Sequence, residues 1–184
     1  MQVDEHALIF DSYVLEKQGK LALAMERVKK VLTSEPDNYF LHMRLAHLSS
    51  VNKDELKASS YYLKAAELRP KSIEPWLAMA KLSLKKDEVK TKNFSGEVLK
   101  RAPTHRGAAL MYVKAAQKLK SHSDGLDVTN QILQSYPNDP FFLEQKAYFL
   151  SNLARKSEAK QALTELLLIQ PENDYARKFI EKEK

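Results

Sequence analysis

Five of the seven prolines in this 184-residue chain recur at an almost constant interval. They are Pro36, Pro70, Pro103, Pro137 and Pro171, spaced 34, 33, 34 and 34 residues apart. A fixed period of that length marks a repeat architecture, in which one supersecondary unit is copied along the chain. Each proline closes an apolar helical run, as in VKKVLTSEP, YLKAAELRP and QILQSYP. Proline cannot continue the helix before it. Short polar residues able to cap the next helix then follow: Asp37 or Asn38, Ser72, Thr104, Asp139, and Asn173 or Asp174. Pro140, directly after Asp139, suits the first turn of the helix it opens.

With the proline placed at unit position 32, further columns line up. Position 8 holds Ser12, Ala46, Ala80, Val113 and Ala147; position 20 holds Ala24, Ala58, Thr91, Gly125 and Ala159. Both columns are small, as the close crossing of two antiparallel helices requires. Position 27 holds Val31, Ala65, Val98, Ile132 and Leu166. Each unit therefore predicts helix, short turn, helix, turn. One such hairpin cannot bury its apolar face alone, so neighbouring units stack into a continuous core. The predicted units run over 5–38, 39–72, 73–105, 106–139 and 140–173, within a single domain covering 1–184. A capping helix over 174–184 offers Tyr175, Phe179 and Ile180 to the stack and is otherwise charged. The third unit is one residue short, and its Asn93, Phe94, Ser95 and Gly96 are poor helix formers together.

A 34-residue helix–turn–helix with small residues at positions 8 and 20 and proline at 32 resembles the tetratricopeptide repeat. In IEPWLAMAKLSL, Trp76 and Ala80 stand where that family expects Trp and a small residue; the second unit carries Ala46, Ala58, Tyr62, Ala65 and Pro70 in register. Asp11 and Lys146 depart from it at position 7, which is usually apolar. The resemblance extends over about the whole chain. It implies an all-α fold, an α-solenoid wound as a right-handed superhelix of five units plus the capping helix. It also implies a non-catalytic scaffold or adaptor that binds a partner protein or peptide in its concave groove, within a multiprotein assembly.

Positions 2, 5, 6, 9, 12 and 13 of the first helices form one stripe, at spacings of three and four, opposite the packing positions. In proteins of the resembled family this stripe lines the groove. Its candidate partner-binding residues here are Tyr13, Phe40, Arg44, His47, Lys81, Lys85, Lys114, Lys118 and Tyr148. The middle is basic and the ends are aromatic, which suits an extended or helical peptide of acidic character. The alternative is that the apolar members pack between units while the lysines are solvated. Two specialised peptide grips of the family are missing. Position 5 reads Ile9, Met43, Leu77, Leu110 and Glu144, without the lysine of the chaperone-tail clamp; position 6 reads Phe10, Arg44, Ala78, Met111 and Gln145, without an asparagine ladder.

Other function classes find little footing. The chain has no Cys, which removes thiolate metal sites and cysteine nucleophiles, and only four Gly, which leaves little for phosphate-cradling loops. His42 and His47 are five residues apart and do not share a helix face, so no metal pair is predicted among the histidines. No cofactor, metal or catalytic residue is expected. A formal net charge of +6 raises a nucleic-acid-contacting basic repeat as the rival function, but interleaved Glu and Asp disfavour it. A docking fragment of a larger enzyme or envelope protein is the other alternative. No stretch approaches the roughly 18 apolar residues of a membrane span, and Asp4 and Glu5 precede a short apolar patch, the wrong order for a signal peptide. A soluble, cytoplasmic chain is the expectation that follows.

Overall fold

The computed structural model describes residues 5–182, which form eleven α-helices and no strand. They are α1 (Glu5–Lys17), α2 (Leu21–Leu32), α3 (Tyr39–Val51), α4 (Glu55–Leu68), α5 (Glu74–Ser83) and α6 (Glu88–Arg101). Then follow α7 (Arg106–Lys118), α8 (His122–Ser135), α9 (Pro140–Asn152), α10 (Lys156–Ile169) and α11 (Asp174–Lys182). All five proline-marked corners separate two helices, so the proline period is the period of the hairpin.

Local chemistry sets the helix starts. The Asn38 side chain accepts from the backbone N–H of Phe40 at 2.9 Å and of Leu41 at 3.3 Å, so Asn38 rather than Asp37 caps α3. Asp139 caps α9 in the same way, accepting from Phe141 and Phe142. Asn173 accepts from the N–H of Ala176 at 3.0 Å. Two expectations are corrected. His105, not Thr104, caps α7, its Nδ1 accepting from Ala108 N–H at 3.0 Å. Ser72 turns away from a capping role: its hydroxyl bonds the carboxylate of Glu74 and meets the Tyr39 hydroxyl.

The turn inside each hairpin is as regular as the corner between hairpins. Each contains one left-handed residue: Gly19 (φ 74°), Lys53 (60°), Lys85 (66°), Lys120 (56°) and Ala154 (60°). Only the first is glycine, although a residue with a Cβ is disfavoured there by roughly 1–2 kcal/mol. Lys85 stands two residues before the cap Asp87, whereas the other four immediately precede theirs. This turn is one residue longer than the others, and the deficit of the third repeat falls in α5, which is ten residues long where α3 and α7 have thirteen.

The chain divides into two compact units, the first ending at Leu82 and the second beginning at Ser83. In the first, α1 packs on α2, α2 on α3 and α3 on α4. Its core brings together Leu15, Val28, Val31, Leu41, Leu45 and Leu48. In the second, every helix from α6 to α11 packs on the next. Phe142, Phe149, Leu150 and Leu166 are fully enclosed there. Burying one such side chain contributes about 1.5–3 kcal/mol, so these contacts, not propensity, hold the short helices.

Every member of the position-8 and position-20 columns is buried. Gly125 shows why smallness is needed: a Cβ built on it would lie 2.3 Å from the ring carbon Cζ of Phe149 in α9. The weak helix formers at 93–96 do not interrupt α6, because packing on α7 outweighs propensity. Ser95 is fully buried and returns its hydroxyl to the Thr91 carbonyl at 2.6 Å, and Gly96 leaves room for the Tyr112 ring. Asp11, charged at an apolar column, accepts a hydrogen bond from Arg27 Nε of α2 at 2.8 Å.

Candidate partner-binding groove

Four of the sequence candidates converge in the first unit. Phe40, Met43, Arg44 and His47 recur along α3 at spacings of three and four, which puts them on one face. With Tyr13 and Glu16 of α1 they line an open cavity of about 390 Å³. Phe40 is 63% exposed, large for a phenylalanine held on a helix.

Arg44 is engaged within the fold. It is only 8% exposed, and its guanidinium lies 3.7 Å over the Tyr13 ring. It donates to the Ser12 carbonyl at 3.0 Å, to Ser12 Oγ at 3.3 Å and to the Glu16 carboxylate. The same carboxylate meets His47 Nε2 at 2.7 Å. Arg44 is therefore a strut between α1 and α3, with its charge already matched. Burial pushes the Glu16 carboxyl up, but the hydrogen bonds from Arg44 and His47 together outweigh it and hold the carboxyl below its ordinary range. Glu16 was the residue to find. It stands at unit position 12, on the stripe, three residues after Tyr13.

A second, larger cavity of about 890 Å³ adjoins the first and shares Phe40 and Met43 with it. Tyr39, Arg69 and the segment from Pro70 to Glu74 complete its wall, which is mostly apolar. Tyr39 and Phe40 meet edge to face, ring centroids 5.3 Å apart. The Arg69 guanidinium lies against both, its Cζ 4.3 Å from the Tyr39 centroid and 4.5 Å from that of Phe40. Because Ser72 donates to Glu74, the Tyr39 hydroxyl donates to Ser72, 2.8 Å away. The bond from Ser72 holds the Glu74 carboxyl below its ordinary range. Arg69 was not a candidate, since the stripe follows the first helices and Arg69 caps the end of α4. Its neighbour Pro70, a repeat-marking proline, was the available signal.

The remaining candidates are placed as follows. Lys81 is exposed on α5 and lines neither cavity. In the second unit, Lys85 sits in the α5–α6 turn rather than on a helix face, because α5 ends at Ser83. Lys118 of α7 is ion-paired with Glu88 of α6. Lys114 Nζ lies 5.6 Å over the Phe141 ring. Tyr148 is half-buried, edge-on to Phe149 at 5.3 Å.

Among the described residues no group of His, Cys, Asp or Glu is arranged to hold a metal ion, and no helix is long and apolar enough to cross a membrane. The one histidine–carboxylate pair of the groove, His47–Glu16, has no nucleophile aligned with it; Ser12 Oγ donates to the Ile9 carbonyl at 2.7 Å. What the site offers is apolar surface, an aromatic ridge and cations held by stacking.

A stack of helical hairpins with a small-residue crossing in each defines a helical-repeat protein. The family model of the tetratricopeptide repeat matches residues 142–173, the fifth hairpin. The chain thus carries a tetratricopeptide repeat and has the tetratricopeptide-repeat fold. Solved structures agree on the fold. A crystal structure of the MamA protein superposes with a TM-score of 0.68 at 13% identity, covering 89% of this chain and 90% of that one. A tetratricopeptide repeat protein from Parabacteroides merdae gives 0.69 at 19% identity, over 96% and 70%. YrrB, described as a TPR protein with an unusual peptide-binding site, gives 0.67 at 12% identity, over 94% and 90%. No curated protein matches the sequence closely enough to serve as a relative.

Proposed function

We propose that this chain is a non-catalytic scaffold that binds a segment of a partner protein in the groove of its first unit. The observation that carries this is Phe40, exposed on a ridge shared by two adjoining cavities that also share Met43. An aromatic ring left uncovered beside a concave apolar wall is a place for contact, and aromatic anchors dominate the energetics of such interfaces. The peptide-binding site stated for YrrB is consistent with this use of the fold. Binding without a chemical step fits a groove whose histidine and carboxylates are committed to neighbouring side chains. The excess of cations over acids and the exposed Lys81 favour an acidic partner segment over a basic one.

The test is selection of peptides from a displayed random library on the intact chain, followed by affinity measurement on the wild type and on Phe40→Ala. Loss of such an anchor costs more than about 1 kcal/mol, so a weakening of at least roughly fivefold is expected. Selected peptides whose affinity ignores Phe40→Ala, with the far-ultraviolet spectrum unchanged, would remove the groove from the function.

A further inference from the structure

The larger cavity contains a cation with no close ion pair. Among the described residues Arg69 has no carboxylate within ion-pair distance and its guanidinium makes no side-chain hydrogen bond; it lies against the rings of Tyr39 and Phe40 and feels the Glu74 carboxylate only across the cavity. Most other charged groups of the groove are engaged internally. Arg44 and His47 share Glu16, and Glu74, the acidic residue of this wall, is engaged by Ser72. Lys71, also in the wall, has no ion pair among the described residues either, so two cations face one committed carboxylate.

From this charge pattern we infer that Arg69 receives an aspartate or glutamate side chain of the bound segment, while an apolar residue beside that acid packs on Phe40 and Met43. The inference rests on the groove proposed above and names the chemistry of its occupant. A guanidinium presents paired N–H donors in a plane that matches the two oxygens of a carboxylate, and contact with two rings restricts its movement before the ligand arrives. Preorganisation of this kind reduces the ordering cost of binding. The second cavity adjoins at Phe40 and Met43, so a segment held at the arginine has room to run on past Phe40. The acidic preference expected from the lysine stripe is thereby relocated, from Lys114 and Lys118 to the end of α4.

The experiment uses bead-displayed peptides acetylated and amidated at their ends, with random apolar positions around one fixed Glu, and a matched set carrying Gln there. Blocked ends remove terminal carboxylates from consideration. The strongest binders are resynthesised and titrated against the intact wild-type chain, Arg69→Gln, Arg69→Lys and Phe40→Ala. The expected result is preferential capture of the Glu set. Affinity should fall about tenfold or more on changing the peptide Glu to Gln, and by a similar factor with Arg69→Gln. The two changes made together should cost little more than either alone, which isolates the pair from any loss of stacking. Arg69→Lys should recover only part, lacking the planar fork. Equal capture of Glu and Gln peptides, both lost with Phe40→Ala, overturns the inference and leaves the groove standing. A Glu preference untouched by Arg69→Gln also overturns it. Peptides indifferent to Phe40→Ala overturn both.

Discussion

Replacing Gly125 with alanine should destabilise the chain, against the direction that helix propensity gives. Gly125 lies within α8, where alanine would ordinarily stabilise by roughly 0.5–1 kcal/mol. The added Cβ, however, would stand 2.3, 2.6 and 2.7 Å from three ring carbons of Phe149. Ordinary contact begins near 3.4 Å, so α8 and the ring must separate by about 1 Å. Phe149 has no exposed surface and cannot swing into solvent. Overpacking of this kind costs about 1–3 kcal/mol. The net expectation is a loss of about 1–2 kcal/mol, or a fall in Tm of roughly 2–4 °C per kcal/mol for a chain of this size. Urea unfolding followed by circular dichroism measures it, and Phe149→Leu supplies the internal check. Leucine vacates the space the new methyl needs, so the double variant should be more stable than the sum of the single losses predicts, by about 1 kcal/mol. A Gly125→Ala chain as stable as the parent, or more so, would show that α8 and α9 do not cross with ring against backbone.

Arg44→Met should cost about 1–3 kcal/mol in urea unfolding, because it leaves Glu16 with only His47 and removes the bond to the Ser12 carbonyl; an unchanged midpoint would mean that the strut carries no stability. Acid should weaken the first unit through the same carboxylate. The Glu16 carboxyl is held below its ordinary value of 4.5 in the folded chain, so its contribution is complete above that value and lost as pH falls through the lower, folded one. The pH dependence of stability below 4.5 should therefore be shallower in Arg44→Met than in the parent, and parallel curves would contradict it. Ala154→Gly should stabilise slightly, by about 0.5 kcal/mol. It relieves a left-handed alanine at φ 60° but frees the unfolded chain, and a lower Tm would refute it.

Much of the fold could be read in advance because each corner carries its own chemistry. Proline ends a helix whatever surrounds it, and Asn38, Asp139 and Asn173 cap the next helix by bonds made within three residues. The columns through Ala58 and Gly125 were legible because a crossing tolerates nothing larger. The candidate groove was less legible. Helical spacing placed Tyr13, Phe40, Arg44 and His47 together correctly. It did not reveal that Glu16 would claim two of them, since which exposed charges pair depends on the side-chain reach between α1 and α3. Lys85 was lost from the stripe by a single missing residue, which shortened α5 and moved it into a turn.

Sequence alone determined the hairpins, their number and the faces they bury, because those depend on steric rules that operate within a few residues of each proline and each small side chain. Tertiary packing decided which charges stay free. Arg44 was neutralised by a neighbour 28 positions earlier in the chain, whereas Arg69, among the described residues, lies against aromatic rings with no close ion pair. Ion pairing acts through space at a few ångströms, and the period of a helix carries no record of it.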